Sequence, residues 1–238
     1  MNVVKALVEE SLPRARGRAI RRVAVGRYAY VELDDGRAGL AYVDWDWVKP
    51  NRDPWSPPRS AEEAVGLALS YDPVMAAVGV ATINALVNTG GQPVDPLDLV
   101  KVSPGSKVAI VGYIRPYVRR LSGTAKVYVF ELSPSEEDFV LPWYAEEEML
   151  PQMDLVIATG VTVVNKTINR IAELSRGSQL IVVGPTTPML PEAFEGLRGA
   201  LGGSTVVDRE QAYSMITMGY GAGALLHSKV LRKATVQL

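Results

Sequence analysis

Between Asp154 and Arg170 the chain reads DLVIATGVTVVNKTINR, an apolar strand-like run that opens through a Thr-Gly turn into Asn-Lys-Thr at the mouth of an amphipathic helix. In a parallel α/β sheet, ligands bind beyond the carboxyl ends of the strands, where small or hydroxyl-bearing residues let backbone N–H groups approach an anion. Thr159, Gly160, Thr162, Asn165 and Thr167 are therefore candidate ligand contacts, although Asn165 or Thr167 can equally cap the helix that begins near Ile168. Downstream, Gly184-Pro185-Thr186-Thr187-Pro188 pairs a backbone stiffened by two prolines with two hydroxyls expected to face outward, as in a preorganised pocket wall. Glu131 follows Gly112 by 19 residues, near the spacing at which an acid takes ribose hydroxyls, and is the candidate catalytic group. Tyr113 and Lys166 are further acid–base candidates. The turn after Gly112 reads VGYIRP instead of G-x-G-x-x-G, with Pro116 and Tyr117 filling the space a pyrophosphate needs. That speaks against NAD and leaves a smaller ligand or an adenosyl group without pyrophosphate.

Several chemistries are closed by composition. With no cysteine and a single histidine, His227, the chain has no disulfide, zinc-thiolate site or Cys nucleophile, and by itself cannot build a multi-His cage. A Ser-His-Asp arrangement has only His227 to draw on, and a lone histidine within GAGALLHSKV reads as a surface or packing residue. Asp44 and Asp46 alternate with Trp45 and Trp47, which places two carboxylates on one face of an extended segment. Together with Glu131 they could hold a hard cation, but solvated charge explains them more simply, and no metal ligand is assigned. Asn84 is the polar residue in the middle of VMAAVGVATINALVNTG, an Ala- and Gly-rich stretch after Asp72-Pro73 that reads as a buried helix. A buried amide there must bond either to backbone or to something held in a cleft.

The elements that would position these residues follow from periodicity and turn signals. Val3, Val4, Leu7, Val8 and Leu12 recur at helical spacing, which predicts a helix over 2–15. Arg22–Leu33 and Arg37–Val43 read as two strands around the turn Asp34-Asp35-Gly36. The stretch from Trp45 to Pro58, with four prolines and three tryptophans, reads as a loop whose rings cover a domain edge or a pocket. Ser60-Ala-Glu-Glu63 is a capping box opening a helix to about Tyr71. In the second half, KVAIVGY, KVYVFEL, DLVIATG and QLIVVGP read as buried strands alternating with helices. Right-handed crossovers would then bring Gly112, Glu131, Gly160 and Gly184 to one carboxyl edge.

The proline-rich run 92–106 between the two patterns looks like an interdomain linker and divides the chain into 1–98 and 99–238. The expected class is α/β, a C-terminal Rossmann-like doubly wound sheet preceded by a smaller α+β domain. A formal net charge of −1 and scattered basic residues argue against nucleic acid, the run Arg14–Arg22 reading as a solvated helix end. No apolar stretch reaches the length of a membrane span and MNVVKALVEES does not resemble a signal peptide, so a cytoplasmic protein is expected. Few Asn and Gln with many Pro and Arg suggest a heat-adapted source.

VATINALVN, VAIVGYIRPYV, VYVFE, DLVIATGVTVVNKTI and VVGPTTPMLPEAF, in that order, resemble the family called putative heavy-metal chelation proteins, DUF364, and the N-terminal part resembles its DUF4213 companion. The resemblance implies an enolase N-terminal-like domain followed by a Rossmann-like one, with the site in the cleft between them. It carries over to Asn84, Gly112, Glu131, Thr159, Gly160, Asn165, Thr167, Gly184, Pro185 and Thr186, and it places Asn84 at the cleft. Soft heavy metals prefer thiolate and imidazole, which this chain almost lacks, so a metal held directly by these residues has poor support. Three readings follow: a binding protein or enzyme for a small metabolite, a metal ion or a metal chelate; an adenosyl-ligand, methyltransferase-like enzyme; and a noncatalytic assembly or delivery subunit.

Overall fold

The computed structural model describes residues 1–49, 55–133 and 135–238, so the central part of the Trp- and Pro-rich loop expected over 45–58 lies outside the described residues. A small antiparallel sheet comes first, β1 (Ile20–Val25), β2 (Tyr28–Leu33) and β3 (Ala38–Tyr42) in that order. The single strand expected over Arg22–Leu33 is thus two strands, broken at Gly26, where a side chain would strike the Ile216 carbonyl at 2.1 Å. Helices α1 (Val3–Ala15), α2 (Ala61–Gly66) and α3 (Pro73–Val87) accompany this sheet. Each begins on a side-chain cap: Asn2 accepts from Lys5 N at 2.9 Å, Ser60 from Glu63 N at 3.2 Å, and Asp72 from Met75 N at 2.9 Å.

Buried on nearly all sides, α3 is approached closely where its sequence and its neighbours are smallest. A Cβ on Gly79 would lie 2.0 Å from Ala68 N, and one on Gly39 of β3 would lie 2.2 Å from Ala81 O. Those two glycines let backbone pack against backbone.

The second sheet has seven strands: β4 (Lys107–Val111), β5 (Lys126–Glu131), β6 (Val140–Pro142), β7 (Leu155–Thr159), β8 (Gln179–Val183), β9 (Arg198–Val206) and β10 (Leu231–Gln237). Their order is β10-β9-β8-β7-β4-β5-β6, parallel throughout except for antiparallel β10 at one edge. Helices α4 (Arg115–Leu121), α5 (Glu146–Met149), α6 (Val161–Val164), α7 (Ile168–Leu174), α8 (Arg209–Thr217) and α9 (Ala222–His227) complete the chain. The fold is therefore a mixed α/β one, a large mostly parallel sheet with a smaller antiparallel sheet.

One apolar core runs through both sheets, joining Val3, Leu7 and Ile83 to Val156, Leu180 and Phe194. The run 92–106 is not a free tether: Gln92 bridges to Thr235, and Pro96 and Leu97 are buried against the large sheet. No helix among the described residues is long and apolar enough to cross a membrane.

Candidate functional site

Because β4, β5, β7 and β8 run in parallel, their last residues deliver Gly112, Glu131, Thr159 and Gly184 to one edge of the large sheet. Gly112 leaves β4 with a φ of +86°, and a Cβ on it would meet Thr159 Cγ2 at 2.8 Å, so the turn here requires glycine. That turn points the backbone N–H of Tyr113 at the carboxylate of Glu131, which accepts it. Across the gap, Thr162 Oγ1 donates to Thr159 O at 2.7 Å, and Asn165 Oδ1 accepts from the Thr167 hydroxyl at 2.7 Å and the Thr167 amide at 3.1 Å. Asn165 and Thr167 therefore bond to each other instead of capping α7, which starts without a side-chain cap.

These turns enclose a pocket of about 310 Å³ whose walls include Gly112, Tyr113, Glu131, Thr159, Asn165 and Thr167 from the sequence candidates. Thr162, also among the candidates, joins them, and three further members were not foreseen: Tyr42 at the end of β3, Trp143, and Glu146 at the start of α5. The only sequence trace of Glu146 is an acidic triplet, Glu146-Glu147-Glu148, directly after Pro142-Trp143-Tyr144. Burial, and then the charge of Glu131, push the Glu146 carboxyl up to about 7.

The charge of this pocket is opposite to what an anion site needs. Glu131 and Glu146 face it among Tyr42, Tyr113, Phe130 and Trp143, and no Lys, Arg or His is among its described lining residues. Arg115 lies over the Tyr113 ring at 5.2 Å without joining the walls. Lys166 takes a left-handed φ of +67°, and its ammonium donates to Val164 O at 2.7 Å; burial lowers it to about 8.

The remaining candidates lie elsewhere. Asn84 is 1% exposed and lines no pocket described here; its Nδ2 donates to Leu40 O at 2.9 Å and Thr186 O at 3.1 Å, tying α3 to β3 and to the loop after β8. One helical turn on, Asn88 Nδ2 donates to Thr187 O at 3.0 Å and its Oδ1 accepts from Met189 N at 2.8 Å. The two threonines of the GPTTP loop, expected outward, are both buried, and Thr186 Oγ1 accepts from Tyr42 N at 2.9 Å. Thr186 thus fixes the strand end that carries a pocket wall. Gly160 is buried, and a Cβ there would lie 2.5 Å from Thr187 Oγ1, so the turn packs directly on the GPTTP loop. His227 is exposed and lines neither pocket, and Asp44 and Asp46 are outside both linings. Among the described residues no group of three or more His, Cys, Asp or Glu could hold a metal ion.

Gly184 and Pro185 line a second pocket of about 480 Å³, bounded by α4, α9, β9 and β10. It touches the first: Ile114 and Thr159 line both, and Tyr28 of the second packs edge-on against Tyr42 of the first with ring centroids 5.7 Å apart.

Comparison with known proteins agrees with this architecture. A family model described as "Putative heavy-metal chelation", DUF364, matches residues 95–235, and a second with the same description, DUF4213, matches residues 8–87. An uncharacterized protein of Methanocaldococcus jannaschii is 33% identical over 190 residues, spanning 76% of this chain and 73% of its own. The crystal structure of a DUF364 protein of unknown function from Pyrococcus horikoshii superposes with a TM-score of 0.86 at 22% identity, covering 99% of this chain and 100% of that one. A second such structure, from Desulfitobacterium hafniense, gives a TM-score of 0.84 at 25% identity, covering 99% and 98%.

Proposed function

This chain belongs to the DUF364 family, with the DUF4213 region ahead of it, and from that premise we propose that it binds a small positively charged metabolite, or a metal already wrapped in a cationic chelator, in the 310 Å³ pocket. The observation that carries this reading is the pairing of Glu131 with Glu146 among aromatic walls and without a basic side chain in the lining. Carboxylates attract a cation by charge and aromatic faces attract it by their quadrupole, and both effects strengthen where water is partly excluded. A chelator that brings its own donors removes the need for cysteine or histidine, which reconciles the family's description with a chain that has no cysteine and one histidine.

On this reading the domains are 1–98, enolase N-terminal-like, and 99–238, Rossmann-like, and the pocket is the cleft where Tyr42 of the first meets the strand ends of the second. Glu131, held by Tyr113 N–H, presents one fixed carboxylate. Glu146, with its raised proton affinity, is the group suited to take or give a proton should a reaction occur there.

The test uses tetramethylammonium and the exchange-inert complex tris(ethylenediamine)cobalt(III) as probes, titrated calorimetrically at pH 8 and pH 5.5. Binding at pH 8 that weakens about tenfold in Glu131→Gln, in Glu146→Gln and at pH 5.5 is expected, since each removes one charge from a partly buried pair. Absence of binding by both probes at pH 8, or binding indifferent to both substitutions, would sink the proposal. A second reading, an adenosyl sulfonium as the cation, is favoured by the place of Glu131 at the end of β5. S-adenosylmethionine binding more tightly than either probe, and losing that advantage in Glu131→Gln, would favour it.

A further inference from the structure

The second pocket carries a charge pattern complementary to the first. Its acid is already committed: Asp95 accepts from the Tyr117 hydroxyl at 3.0 Å and from Leu97 N at 3.0 Å, and pairs with Arg120 at 3.3 Å. Arg120 spends its other arm on Asp98. What is left is Lys233, exposed and without an acidic partner among the described residues. Directly across the β9–β10 ladder from Lys233 is Ser204, so the two side chains share one face of the sheet. Ser204 is 7% exposed, lines the same pocket, and its hydroxyl has no hydrogen-bond partner among the described residues. Such a hydroxyl calls for a partner that the described residues do not supply.

We propose that this second pocket is an anion subsite, with Lys233 and Ser204 as its recognition groups, and that the two pockets together receive one zwitterionic molecule. The inference rests on the cation reading of the first pocket. Its ammonium end lies against Glu131 and Glu146, its chain crosses the shared ridge of Ile114 and Thr159 beside the Tyr28–Tyr42 pair, and its carboxylate end lies against Lys233 and Ser204. Opposite fixed charges at the two ends also set direction, because a reversed molecule would meet like charge at both. The plainer alternatives are a lysine that only solubilises an edge strand and a serine bonded to one buried water.

Straight-chain ω-amino acids from four to eight carbons separate these accounts. Each is titrated at pH 8 into the wild-type chain beside the monoamine and the dicarboxylate of equal length. One ω-amino acid should bind at least tenfold more tightly than its monoamine. Lys233→Ala and Lys233→Gln should erase that advantage while leaving monoamine affinity unchanged, and Ser204→Ala should reduce it less. The inference is overturned if no length exceeds its monoamine, or if the advantage survives both Lys233 variants. Dicarboxylate binding that depends on Lys233, with no amine bound at any length, would keep the anion subsite but overturn the cation reading and, with it, the zwitterion spanning both pockets.

Discussion

Replacing Glu146 with glutamine isolates the cost of holding two acids in one pocket. Glu146 is half-buried, and burial first and the Glu131 charge second push it from its ordinary 4.5 up to about 7. The folded chain therefore binds this proton more tightly than the unfolded chain does. By linkage, the stability associated with it is full below about 4.5, declines as pH rises towards about 7, and is level above that. At about 1.4 kcal/mol per tenfold in proton affinity, a group sealed from water would cost about 3 kcal/mol when ionised. The pocket is open to solvent on one side, which screens the charge and leaves about 1–2 kcal/mol. Glutamine keeps the shape and discards the charge. Guanidinium unfolding followed by tryptophan fluorescence should show Glu146→Gln more stable than wild type by that amount at pH 8 and within about 0.3 kcal/mol of it at pH 4, with m unchanged. Glu131→Gln should recover part of the same gain, and the double variant should gain less than the two singles added. An equal gain at both pH values would mean that packing, not charge, is responsible; no gain at pH 8 would refute the reasoning.

Three further outcomes are expected. Asn84→Ala strands the carbonyls of Leu40 and Thr186, both bonded in the native fold, and should cost about 2–3 kcal/mol in the same unfolding experiment. Gly112→Ala must hold a φ of +86° with its Cβ 2.8 Å from Thr159 Cγ2; a loss of about 1–3 kcal/mol is expected, and the loss should shrink when Thr159 is also changed to Ser, which removes that methyl. Lys166, lowered to about 8 by burial, should be acylated with a half-maximal rate near pH 8 when followed by peptide mass spectrometry, below the range in which an ordinary lysine amine becomes reactive.

Strand and helix assignments were readable wherever the periodic signal was strong. The apolar runs ending at Val111, Glu131, Thr159 and Val183 are parallel neighbours, and α1 and α3 occupy the expected segments. β9 was not readable, because RGALGGSTV has little strand propensity. Its glycines serve close approach: a Cβ on Gly199 would lie 2.0 Å from Leu180 O, and one on Gly203 would lie 2.8 Å from Thr187 O. Glu146 was missed for a different reason. It reaches the pocket from α5, a four-residue helix after the three-residue edge strand β6, elements too short to leave a period. Asn84 illustrates the limit of reading polar residues singly. Its burial was legible, but its partners are the carbonyls of Leu40 and Thr186, 44 and 102 residues away in the chain.

Those long separations bear on the order in which the molecule can assemble. α3 is among the most apolar elements of the chain, yet the bonds of Asn88 close only when residues 187–204 are in place. Closing loops of about a hundred residues is slow, since the entropy of bringing the ends together is lost before any contact compensates it. A growing chain can pack α3 early against β2, β3, α1 and α2, which all precede it, and the loop after β8 acts as the latch that closes over it last. Once shut, the latch must be undone before α3 can leave, so the same contacts that delay folding also slow escape from the folded state.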